Sequence, residues 1–89
     1  MRTVIESEIV SDIIDSEQEI YPRLQAAFDA LKWWLAHKPE SGEIIDDLHW
    51  LYKQRGDRHK NIPALVVIYT FDKDSVEIEF ILVRIPTIP

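Results

Sequence analysis

The sequence predicts an α+β domain in the order β-α-α-β-β-β, with two N-terminal helices packed on a small antiparallel sheet. Three observations predict it. Residues 22–37 repeat their apolar side chains at helical spacing. Residues 64–71, "ALVVIYTF", form a continuous, β-rich apolar run. The turn residues "DKDS" (72–75) join that run to the alternating "VEIEFILVRI" (76–85). Helical pattern first and strand pattern last is the arrangement of an α+β fold.

The elements follow in chain order. "RTVIE" (2–6) is short and rich in β-branched residues, as a first strand would be. Ser7 can cap a helix, because its hydroxyl accepts from a free backbone N–H. Ile9, Val10, Ile13 and Ile14 then share one helical face. "SEQE" (16–19) reads as a capping box, and Pro22 suits the first position of a second helix. In that helix Leu24, Phe28, Leu31 and Leu35 fall within about 60° of one another. Trp34 lies on the flank of this stripe and Trp33 roughly opposite it, which exposes a large aromatic ring. "HKPESG" ends the helix.

Residues 43–53 fit either a helix or a strand. The alternation of Leu48, Trp50 and Tyr52 favours a strand over 48–54. "ALVVIYTF" reads as a strand buried on both faces. In its hairpin partner, Val76, Ile78, Phe80 and Leu82 are expected to face one way and Glu77 and Glu79 the other.

The chain has 89 residues, which is the size of one small domain, 1–89. It has no cysteine, which excludes disulfide staples and cysteine-based zinc sites and suits a reducing compartment. No basic start precedes an apolar run, and no run approaches the roughly 18 residues of a membrane helix, so the expected setting is cytoplasmic and away from membranes.

Sixteen acids against ten bases give a net charge of −6, but the charge is uneven. Residues 1–47 hold eleven acids and four bases, whereas 53–60 hold four bases and one acid. The mean charge argues against a nucleic-acid binder. The basic run Lys53, Arg55, Arg58 and Lys60 is compatible with an anionic ligand. It equally fits a solvated loop or a protein contact. Tyr69 on a buried strand is either a core residue with a satisfied hydroxyl or a proton carrier. His59 is either a surface residue or a general acid–base. His37, His49 and His59 have no metal-ligand spacing, so no metal or cofactor is expected.

"FDALKWWLAHKPESG", "YKQRGDRHK" and "ALVVIYTFDKDSVEIEFILV", in that order, resemble the RelE/ParE toxin superfamily of bacterial toxin–antitoxin systems. The resemblance covers most of the chain. It implies a toxin-like component neutralised by a small antitoxin protein, with either ribosome-dependent mRNA cleavage or poisoning of DNA gyrase as its activity. For mRNA cleavage it implies Lys53, Arg55, Arg58 and Lys60 as the phosphate-contacting set, and His59, Tyr69 and Arg84 as the catalytic positions. Fixed cations would offset charge building on the phosphorane. A proton donor and acceptor would add acceleration on the order of 10²–10⁴. Trp33 would contact the antitoxin, or a second copy in a homodimer.

Three features depart from the pattern. Val66 stands where RNA-cleaving members usually carry an arginine. The sequence ends at "RIPTIP", where many members continue. The protein is acidic, whereas the family's toxins are commonly basic. The resemblance therefore implies weakened, rearranged or lost catalysis. The alternative is a non-catalytic module that binds a protein partner through Trp33 and the basic loop.

Overall fold

Ser7 begins the first helix as its chemistry requires: its hydroxyl accepts from the Val10 N–H at 3.2 Å while its backbone stays extended. In the computed structural model, which describes residues 1–85, the elements are β1 (Thr3–Glu6), α1 (Glu8–Glu17), α2 (Leu24–His37), β2 (Glu43–Ile44), β3 (Trp50–Gln54), β4 (Ala64–Phe71) and β5 (Ser75–Arg84). Residues 86–89 of the expected domain lie outside the described residues.

The fold is α+β, with two helices against a five-stranded sheet of order β1-β5-β4-β3-β2. The expected antiparallel sheet is instead mixed, because β1 pairs with β5 in parallel. The other pairings are antiparallel. No described helix is long and apolar enough to cross a membrane.

Helix α2 supplies the helical half of the core. Leu24, Phe28, Leu31 and Leu35 are buried, as their spacing predicts, alongside Val10 and Ile14 of α1. Each such side chain contributes about 1.5–3 kcal/mol by leaving water. The helix starts at Leu24 rather than Pro22, and "SEQE" caps nothing: α1 runs through Ser16 to Glu17. The Leu24 N–H donates to the Tyr21 carbonyl, so Pro22 sits in the turn between the helices.

Leu65, Val67 and Tyr69 of β4 face the helices and are buried. Val66, Ile68 and Thr70 point the other way and are only half-buried, because no helix covers the second face. The expectation of a strand buried on both faces is corrected accordingly.

The alternation in β5 is also corrected. Ile68 pairs with Phe80, and Tyr69 pairs with Ile78, so Glu79 is an extra residue. This β-bulge shifts the side-chain alternation by one. Val76, Ile78 and Ile81 are buried, whereas Phe80 and Leu82 are exposed on the free face with Glu77. The bulge is anchored from below, where the Ser7 hydroxyl donates to the Glu79 carbonyl at 3.0 Å.

The hairpin between β4 and β5 forms where "DKDS" predicts it. The Asp72 carboxylate accepts from the backbone N–H of Asp74 at 2.8 Å and of Ser75 at 2.9 Å. Those bonds hold its pKa below the ordinary value, Asp74 contributing most. Residues 43–53 resolve as a short hairpin, β2 with β3.

Candidate nucleic-acid interface

Gln54 fixes the end of β3. Its side-chain Nε2 donates to the Ala27 carbonyl of α2 at 3.0 Å, which holds Gln54 on the helix side of the sheet. Period-two alternation then sends Lys53 and Arg55 to the free side. Lys53 pairs with Val66, and Arg84 pairs with Ala64, across neighbouring strands. Cross-strand partners share a face.

The result is an open groove of about 850 Å³ at one end of the sheet. It is lined by the cations Lys53, Arg55 and Arg84 and by the small apolar residues Ala64 and Val66. No acidic side chain lines it, and among the described residues none of the three cations makes an ion pair. A cleft with one sign of charge concentrates its field and attracts anions even when the whole protein is negative.

Gly56 allows the groove's outer wall to close. A Cβ there would collide with the Ile62 carbonyl oxygen and lie 2.6 Å from the Ala64 nitrogen. Beyond it, Asp57 and Ile62 exchange backbone hydrogen bonds, each 2.9 Å long. The Asp57 carboxylate accepts from the His59 N–H at 3.0 Å and from the Lys60 N–H at 3.3 Å. Asn61 takes a left-handed backbone with φ 55°, which asparagine tolerates. The one acid of the basic run is therefore the residue that builds its turn.

The expected site residues fall into separate places. Lys53, Arg55 and Arg84 come together in the groove. Arg58, His59 and Lys60 are exposed on the turn beyond it and do not line it. Tyr69 lies on the helix side of the sheet, opposite the groove. It is fully buried, and its hydroxyl donates to the Pro39 carbonyl at 2.5 Å. Burial pushes its pKa up to about 12. Gly42 makes room for that hydroxyl, since a Cβ at residue 42 would collide with it. Trp33 is 59 % exposed on α2, with its ring 4.2 Å from that of His37.

Sequence reasoning passed over a second cluster. His49 Nδ1 lies 2.9 Å from the Asp46 carboxylate, and its Nε2 lies 3.1 Å from Glu79. Its bond to Asp46 raises the His49 pKa, with Glu79 adding to the effect. The Leu48 N–H, followed by His49, lowers that of Asp46. Aspartate three residues before histidine was the available signal. The bulge that brings Glu79 into reach had none. Among the described residues, no three histidine, cysteine or acidic side chains are gathered so as to hold a metal ion.

Compared with protein-family models, with curated proteins and with solved structures, the chain matches none.

Proposed function

We propose that the protein is a RelE/ParE-like toxin component whose free-face groove binds the phosphate backbone of single-stranded RNA. The observation that carries this reading is the convergence of Lys53 and Arg55, at the end of β3, with Arg84 of β5 on one groove without an acid. In the proposal the RNA is mRNA on the ribosome, the setting is the cytoplasm, and a small antitoxin protein neutralises the toxin.

Cleavage in this reading is weak or lost. Three cations can offset charge on a phosphorane. The proton-transfer groups are poorly provided: Tyr69 is buried with its hydroxyl engaged on the far side of the sheet, and His59 is out on the turn. A backbone-binding groove with little acid–base chemistry fits these positions better than a complete nuclease does.

A second reading is favoured by Trp33, a residue type enriched at protein interfaces and left 59 % exposed on α2. It makes the chain a non-catalytic module that docks a protein, such as the antitoxin or DNA gyrase, on α2.

Induction in cells separates the readings. The RNA-binding toxin predicts growth arrest that is lost in Arg55→Ala and Arg84→Ala and kept in Trp33→Ser. Arrest that needs Trp33 but neither arginine supports the docking module. Normal growth with folded, full-length protein overturns the toxin reading.

A further inference from the structure

The free face of the sheet is graded along the strands. At one end stand Lys53, Arg55 and Arg84. The middle is apolar: Leu51, Ile68 and Phe80 form one cross-strand row, and Val66 and Leu82 continue it beside Lys53. Phe80 is 37 % and Leu82 46 % exposed, and Ile5 of β1, at 47 %, extends the patch. At the other end stand Glu77 and the bulged Glu79, while Glu43 lies at the β2 edge of the middle row, opposite Leu51. No described helix covers this face; the loop between β2 and β3 reaches its acidic end through His49, whose Nε2 lies 3.1 Å from the Glu79 carboxylate.

We propose that this face binds a second copy of the chain. A purely basic or purely acidic partner would match one end and be repelled at the other. A copy rotated about a two-fold axis lying across the strands, through the apolar rows, satisfies both ends. Arg84 of each chain then meets Glu77 and Glu79 of the other. Phe80 meets Leu82, Ile68 meets Val66, and Glu43 approaches Lys53. Such self-complementarity is what an isologous dimer requires. The bulge at Glu79 makes the match, because it turns Phe80 and Leu82 outward between the two charged ends.

The patch measures roughly 20 by 25 Å from strand spacing and rise. That is at the small end of stable interfaces. The acidic end of one copy covers the basic groove of the other, so the dimer and single-stranded RNA compete. That consequence rests on the RNA reading, whereas the dimer does not.

Light scattering and sedimentation of the full chain test the proposal. Wild type is expected at twice the 10.5 kDa chain mass, shifting toward monomer in high salt. Arg84→Glu should give a monomer with native circular dichroism. Combining it with Glu77→Arg and Glu79→Arg should restore the dimer, which excludes misfolding as the cause of the loss. A monomer at every concentration would overturn the proposal. So would a dimer indifferent to Arg84→Glu, a folded triple variant that stays monomeric, or a dimer abolished by Trp33→Ser. A dimer that forms on concentration, with no RNA binding at dilutions where the chain is monomeric, would remove the function proposed above and leave the interface standing.

Discussion

Tyr69 donates its hydroxyl to the Pro39 carbonyl, tying the central strand β4 to the turn that follows α2. The bond lies on the helix side of the sheet, while Lys53 and Arg84 lie on the free side. Tyr69→Phe removes the donor and leaves a buried carbonyl unpaired, which costs about 1–2 kcal/mol. Urea denaturation should show that loss, and RNA affinity measured by fluorescence polarisation should not change. A variant of unchanged stability that no longer binds or cuts RNA would return Tyr69 to the site.

Ser7 ties α1 to β5 through three contacts. It caps α1, its N–H donates to the Ile78 carbonyl, and its hydroxyl holds the bulged Glu79. Ser7→Ala should cost about 1 kcal/mol from the cap and about 1 kcal/mol more from the Glu79 carbonyl. Ser7→Thr should recover most of it. Thermal denaturation reads both. Equal stability of the alanine variant and wild type would mean that the bulge does not depend on this anchor.

The Asp46–His49–Glu79 cluster gives stability a pH dependence of definite sign. The bond to Asp46 raises the His49 pKa in the folded protein above its ordinary value. Its contribution is therefore complete below the unfolded value and is lost as pH rises through the folded one. Asp46 and Asp72 are lowered, so their contributions are lost as pH falls below about 3.8. Melting temperature followed from about pH 5 to about pH 9 should fall on the alkaline side in wild type and lose that component in His49→Gln. A rise through neutral pH in wild type would reverse the assigned shift.

Val66 lines the groove between Lys53 and Leu82 on neighbouring strands. Val66→Arg therefore adds a fourth cation to the groove. It should raise RNA affinity at low salt and steepen its salt dependence by about 0.7 in log–log slope. Circular dichroism checks folding, since Val66 is half-buried. A folded variant with unaltered affinity would mean that RNA passes elsewhere.

Local signals were readable in the sequence and long-range ones were not. The stripe Leu24–Phe28–Leu31–Leu35 specifies a helix face by itself, and Asp72 specifies its turn through bonds within three residues. The parallel pairing of β1 depends on β5, some seventy positions away, and leaves no local mark. The bulge at Glu79 is equally silent, because beyond it "FILV" (80–83) puts apolar residues on the core in either alternation. Pro22 misled because a proline suits a turn as well as a first helical position, and the Gln18 side chain reaching the Pro22 carbonyl belongs to the turn. For the site, a cluster in sequence was not a cluster in space. Alternation sends Lys53 and Arg55 to the groove, the Asp57 turn carries Arg58, His59 and Lys60 away, and Arg84 joins from another strand.

The proposed role of the groove in binding nucleic acid rests on that division, and the salt dependence of binding to single-stranded RNA tests it. Three phosphate contacts predict a log–log slope of about −2, falling in magnitude by about 0.7 for each neutralised contact. Lys53→Gln, Arg55→Gln and Arg84→Gln should each show that decrease, while Lys60→Gln should leave the slope unchanged. A slope that responds to Lys60 and not to Arg84, or no salt-dependent binding at all, would contradict it.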